Sequence, residues 1–112
     1  PFHKRQQLAA ISFCLIILRG IPVKAKAVVE FGVTYTNLAA SYMNAGNLAQ
    51  AEDASDKGLA IFQNGLEGDY HYSAALCVAG DIYFAKGEYE KAVSCYEKGM
   101  LALKGHVGLT HA

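Results

Sequence analysis

One stretch constrains the fold of this chain more than any other, because it occurs twice. Residues 76–96 read Leu76-x-x-Ala79-Gly80-x-x-Tyr83, then Gly87, then Ala92-x-x-x-Tyr96. Forty-one residues earlier the chain reads Tyr35-x-x-Leu38-Ala39-x-x-Tyr42, then Gly46, then Ala51-x-x-x-Ser55. Tyr42/Tyr83, Gly46/Gly87, Ala51/Ala92, Lys57/Lys98 and Gly58/Gly99 are identical across the two copies. Leu76, Ala79, Gly80 and Tyr83 recur at i, i+3, i+4 and i+7, one stripe of an α-helix. Gly80 lacks a side chain, so a partner helix can approach closely there. Gly87 suits the left-handed residue that ends a helix. Tyr89, Ala92, Val93, Tyr96, Met100 and Leu103 form the apolar stripe of a second helix, with Glu90, Lys91, Glu97 and Lys98 facing water. Two helices joined by a short glycine turn make an antiparallel pair. Gly58 and Gly99 fall inside predicted helices, where glycine costs about 1 kcal/mol relative to alanine. The same cost at the same repeat position implies close helix approach at both.

The pattern resembles the tetratricopeptide repeat, W-x₂-L-G-x₂-Y followed by A-x₃-F. Leu76 stands for the usual Trp, Ala79 for Leu and Tyr96 for Phe, with the spacing intact. The resemblance implies an all-α protein, a right-handed α-α superhelix (a TPR solenoid) of antiparallel helix pairs. The repeat unit has about 34 residues, which places units at 32–65 and 73–106 with an inter-repeat insert at 66–72. That longer spacing is similar to the kinesin-light-chain type of repeat, whose inter-repeat turn resembles L-G-x-x-H and whose first helix carries N-L-A. Leu66-x-Gly68-Asp69-Tyr70-His71 and Asn37-Leu38-Ala39 match in part. Gly108-Leu109-Thr110-His111 reads as the lead-in to a further repeat at 107–112.

Composition narrows the partners. Ten basic and ten acidic residues give no net charge, and no basic patch with interleaved aromatics is present. Nothing in this balance draws the chain to nucleic acid or to an anionic membrane. Hydrophobic content of 53% with 11 glycines and 2 prolines suits short, tightly packed helices. The three cysteines, Cys14, Cys77 and Cys95, have no metal-ligand spacing, and are expected to be buried reduced thiols that pack as small hydrophobes.

Along the chain, His3-Lys4-Arg5 precedes the apolar run Leu8–Leu18, which is too short to span a bilayer, since that needs about 20 residues. Two readings of 6–19 stand. Lys4-Arg5, the apolar run and Ala25-Lys26-Ala27 match the three parts of a secretory or thylakoid-transfer leader. Alternatively, the run is the fully buried second helix of a preceding repeat, with Ala10 and Cys14 in the places of Ala51 and Ser55. The compartment is accordingly open: soluble and cytoplasmic or organellar, or thylakoid-lumenal or exported if 4–27 is a leader. Pro22 suits the first turn of the next helix, expected over about 23–45 with a possible interruption at Gly32. Asn47 is expected to cap a helix over 48–62, with Gln50 as its reciprocal partner. Leu48, Ala51, Ser55, Leu59 and Phe62 should face inward there, and Glu52 and Asp53 outward. Asp69 is expected to cap a helix over about 70–86, and Lys104-Gly105 to end the last one. Both ends of the array read as continuing, without the polar capping helices that isolated arrays carry.

No catalytic constellation is visible. His3, His71, His106 and His111 lie in predicted turns or ends, without HExxH spacing. There is no G-x-S-x-G and no phosphate-binding glycine loop after a strand. The expectation is a protein that is not an enzyme, with no cofactor, no metal and no small-molecule substrate. What the resemblance implies is a concave groove lined by the first helices, which takes a peptide segment or helix of another protein. Its positions, carried over residue by residue, are Val33, Thr36, Asn37, Ala40, Met43 and Asn44 in the first unit and Ala74, Cys77, Val78, Asp81, Phe84 and Ala85 in the second. Family members that clamp a carboxylate use Lys and Asn there. Only Asn37 fits, and Asp81 would repel an acidic terminus. The functional expectation is an interaction scaffold or adaptor. The alternatives are a structural piece of a larger assembly, organellar ones included, or a non-catalytic appendage of an enzyme or motor complex.

Overall fold

The computed structural model describes residues 23–107 as four α-helices with no strand among them. They are α1 (Val23–Asn44), α2 (Leu48–Phe62), α3 (Tyr70–Ala85) and α4 (Tyr89–Val107). The apolar segment expected at 6–19 lies outside the described residues, as does the further repeat expected at 107–112 apart from Val107. α1 packs along α2 and α3 along α4, while α3 also lies against both helices of the first pair. The architecture is the expected all-α array of antiparallel helix pairs.

The two tight turns are copies of each other. Gly46 and Gly87 adopt φ of 84° and 83°, the left-handed region that glycine enters without a Cβ penalty. In the first turn, Asn47 N–H donates to the Tyr42 carbonyl at 2.9 Å and Gly46 N–H to the Met43 carbonyl at 3.0 Å. Glu88 to Tyr83 and Gly87 to Phe84 repeat these bonds at 2.9 and 3.0 Å. This paired closure satisfies carbonyls that the end of a helix would otherwise orphan. It also explains why the expected Asn47–Gln50 capping pair does not form. The Asn47 N–H that Gln50 would accept is already committed to Tyr42, and the Asn47 side chain makes no capping bond. Asp69 does cap: it accepts the His71 backbone N–H at 2.8 Å.

Small residues set the distance between paired helices. A Cβ on Gly58 would lie 3.3 Å from the Gly32 carbonyl oxygen, the Thr36 hydroxyl and Tyr35 Cβ. One on Gly99 would meet the same positions of the second unit, Ser73 O at 3.3 Å, Cys77 Sγ at 3.4 Å and Leu76 Cβ at 3.5 Å. The close approach expected from the repeated glycine is therefore present in both pairs, at the same register. Gly32 does not break α1. It opens space for Phe62, whose ring carbons lie 2.7 Å from where its Cβ would stand. Phe62 is 0% exposed and packs with Val29 and Ala75, flanked by Val33, Leu59, Leu66 and Tyr72. It thus joins α1, α2 and α3 at one point. A second cluster, Ala39, Ala51, Ala54 and Ile82, joins the same three helices nearer the turn, with Tyr42, Met43 and Val78 packed on it.

Two expectations fail at α4. The helix runs through Lys104-Gly105 to Val107, because Gly105 keeps ordinary helical space and no left-handed turn forms there. The stripe Tyr89, Val93, Met100 and Leu103 is exposed rather than buried. The reason lies in the repeat. Leu59 and Phe62, the equivalents of Met100 and Leu103, are covered by α3, and no described element stands in that relation to α4. The inward face of α4 is instead Ala92 and Gly99, with Cys95, Tyr96 and Ala102 half-buried. On α2 the expected inward residues are buried or half-buried as read.

The two units solve the same contact with exchanged sizes. Ala39 and Ser55 occupy the positions of Gly80 and Tyr96, and a Cβ on Gly80 would lie 2.6 Å from the Tyr96 ring. Gly80→Ala should therefore cost about 1–3 kcal/mol by overpacking. In a Tyr96→Ser background the same change should become neutral or stabilising by up to about 1 kcal/mol, the helix preference of alanine over glycine. Urea unfolding of the four proteins checks this, and an unchanged cost in both backgrounds would remove the ring as its cause.

Candidate functional site

α1 and α3 lie side by side, so the first-helix surface proposed from sequence is spatially continuous in the backbone. Its side chains divide into two groups. Val33 and Met43 are half-buried and pack on the two core clusters, as does Val78. They form the floor between the helix pairs more than its lining. Thr36 is also half-buried: its hydroxyl donates back to the Gly32 carbonyl at 2.9 Å, within the helix. Ala40 is half-buried. The exposed members are Asn37 and Asn44 on α1 and Ala74, Cys77, Asp81, Phe84 and Ala85 on α3. Phe84 is 60% exposed and meets Tyr89 edge-on, with ring centroids 5.2 Å apart.

Asp81 is the best-defined polar group on this surface. The Tyr96 hydroxyl reaches across from α4 and donates to its Oδ1 at 2.5 Å, the short range of a charge-assisted bond. Donating that bond, partly desolvated and facing that charge, the Tyr96 phenol is pushed up to about 12. Nothing in the spacing of Asp81 and Tyr96 on two different helices announces this bond. Only the glycine at position 80, which makes room for the Tyr96 ring against α3, hints at it.

Cys77 corrects the sequence expectation. It is exposed rather than buried, because its place against Gly99 leaves one side of the thiol open. Burial, aided by the charge of Asp81, still pushes the Cys77 thiol above its ordinary value, and burial does the same for Cys95. Both are free thiols with little thiolate character, and so weak nucleophiles. Cys14 lies outside the described residues, as do His3 and His111.

Other polar contacts went unread in the sequence. Glu52, expected to face water, ion-pairs with Lys86 at the end of α3 and so ties the two helix pairs together at their edge. Lys86 also stands 3.6 Å from Glu88, and the Lys91 ammonium lies 5.5 Å from the centre of the Tyr83 ring. His71, a turn residue in the sequence reading, sits in the first turn of α3 with its Nδ1 2.8 Å from Asp69. A cleft of about 400 Å³ opens between α1 and α2, lined by Tyr35, Leu38 and Tyr42 opposite Gln50, Asp53 and Lys57. None of the groove residues proposed from sequence lines it. Among the described residues, no group of His, Cys, Asp and Glu is placed to hold a metal ion. No helix among them is long and apolar enough to cross a membrane.

Antiparallel helix pairs of equal register, closed by identical glycine turns and stacked so that one pair's first helix packs on the pair before, define a helical-repeat protein. The chain belongs to the tetratricopeptide repeat family, whose profile matches residues 30–101. The match carries the repeat type and not the kinesin-light-chain-like subtype. No curated protein and no solved structure matches the chain. Tetratricopeptide repeats generally mediate protein–protein interaction, typically by binding other proteins or peptides, and are typically non-catalytic.

Of the seven tyrosines, Tyr96 should titrate near pH 12 in an ultraviolet titration of the folded protein. Asp81→Ala should bring it back toward the ordinary tyrosine value of about 10. Because the folded value is the higher one, the stability this contact contributes is complete below about pH 10 and fades as pH rises toward 12. A titration unchanged by Asp81→Ala would detach the shift from this bond.

Proposed function

We propose that this chain is a non-catalytic interaction scaffold that holds a segment of another protein along the surface formed by α1 and α3. Asn37, Ala40 and Asn44 line one side and Cys77, Asp81 and Phe84 the other, over a floor of Val33, Thr36 and Met43. The observation that carries this reading is Phe84. It is an aromatic ring 60% exposed on the first-helix surface, beside polar groups that can orient a peptide backbone. Rings in this setting give large contact area at low entropic cost, which is how interfaces concentrate their affinity. Asn37 and Asn44 offer both donors and acceptors to an extended main chain.

A second reading draws on α4. Val93, Met100, Leu101 and Leu103 are all large, apolar and exposed on one helix. Contiguous exposed apolar surface marks a place where another protein sits. In that reading the chain is a structural piece of a larger assembly, and the first-helix surface is incidental.

Selection of random displayed peptides against the protein separates the two. Under the groove reading, selected peptides lose about tenfold in affinity, or roughly 1.4 kcal/mol, to the double variant Asn37→Ala/Phe84→Ala. Its helical circular dichroism should be unchanged, since both side chains are exposed. Full affinity in the folded double variant, with loss in Met100→Glu instead, would transfer the contact to α4.

A further inference from the structure

The charge on the first-helix surface is unusually sparse. From Phe31 to Asn44, α1 carries no charged residue. Over its whole length α3 carries one carboxylate, Asp81, and no lysine or arginine, with His71 in the first turn beside its own partner Asp69. Of the other acids in the helix pairs, Glu30 on α1 and Asp56, Glu90 and Glu97 on the second helices make no ion pair, while three have a cation of their own. Asp53 pairs with Lys57 at 3.1 Å, Glu52 with Lys86, and Glu88 with Lys91 at 3.8 Å. Asp81 differs from these three, and from the four unpaired acids by its place among the first-helix residues proposed as the groove. Among the described residues no lysine or arginine stands within ion-pair distance of it, and its one partner is the neutral Tyr96 hydroxyl. That bond holds the carboxylate in place and leaves most of its acceptor positions open. Phe84, one turn further along the same helix, provides exposed apolar area beside it.

We infer that the groove selects a largely uncharged partner segment carrying one arginine or lysine, which pairs with Asp81 while its neighbours pack on Phe84. This inference rests on the groove reading above and adds the partner's chemistry to it. The physical reason is desolvation. A segment laid across α3 removes water from Asp81, and a carboxylate losing water without a cation in exchange is strongly penalised. An arginine restores the lost interactions through a paired, planar set of N–H donors. An acidic residue at the same place meets like charge as well as desolvation, so the single carboxylate both attracts one class of partner and rejects another. Tyr96 is the positioning residue, since it fixes Asp81 without touching the partner.

The test uses three displayed libraries of short random peptides, identical except for a central residue fixed as Arg, Gln or Glu. Each is selected against the wild-type protein and against Asp81→Asn, which keeps an acceptor for the Tyr96 hydroxyl. The expected result is enrichment of the arginine library by at least about tenfold over the other two on wild type. That preference should disappear on Asp81→Asn, while binding through Phe84 persists. Equal enrichment of the three libraries, sensitive to Phe84→Ala, would overturn the basic-partner inference and leave the groove standing. Binders insensitive to both Phe84→Ala and Asp81→Asn, or no binders from any library, would overturn the groove reading itself. If Asp81→Asn lowers helicity, the comparison of arginine with glutamate libraries on wild type decides alone.

Discussion

Everything in this fold depends on how near two helices can come. Backbone approaches backbone at Gly58 and Gly99, where the facing atoms leave 3.3 Å or little more for a Cβ. That proximity lets alanines such as Ala39, Ala51 and Ala92 fill much of the interior, while the rings of Phe62 and Tyr96 enter only where a glycine faces them. Interiors are packed to crystal-like density, so the spacing of each pair dictates which residues fit between one pair and the next. Phe62 is the clearest case. It enters the space over Gly32 and then reaches α3 through Ala75 and Tyr72. Its removal would open a cavity shared by three helices, a change that typically costs about 3–5 kcal/mol.

The helix pairs were legible because their causes are local. Glycines at 46 and 87 end helices by a conformation only they adopt freely, and apolar residues at helical spacing mark the stripe between them. The N-cap at Asp69 was legible for the same reason. Asn47 was misread because its capping role competes with a turn bond to Tyr42 that no short motif announces. The apolar stripe of α4 was misread for a different reason. Periodicity identifies which face is apolar, and burial depends on whether another element arrives to cover it. Leu59 and Phe62 have α3; Met100 and Leu103 have no described counterpart.

The candidate site was legible in outline and not in chemistry. Carrying family positions onto α1 and α3 named residues on two neighbouring helices, yet it could not separate floor from lining. Val33, Met43 and Val78 turn toward the cores because α3 leans on the first pair there. Nor could it show that Asp81 is held by Tyr96, a contact between residues fifteen positions apart on opposite helices. The Glu52–Lys86 pair, thirty-four positions apart, was hidden likewise. Ion pairs and hydrogen bonds between elements depend on the packing angle, which repeat spacing alone does not specify.

The exchanged sizes at Ala39–Ser55 and Gly80–Tyr96 bear on how such a chain sorts its own helices. Repeats of similar sequence risk pairing the first helix of one unit with the second helix of the other, a characteristic failure of repeat proteins. Here that mismatch is penalised whichever pair is exchanged. If α4 were laid on α1 in the native register, the Tyr96 ring would meet the methyl group of Ala39 where α3 offers only the hydrogen of Gly80. The reverse exchange, Ser55 against Gly80, would leave a void. The tyrosine and glycine thus act as key and keyway, so that helices built on one repeat pattern still find their own partners.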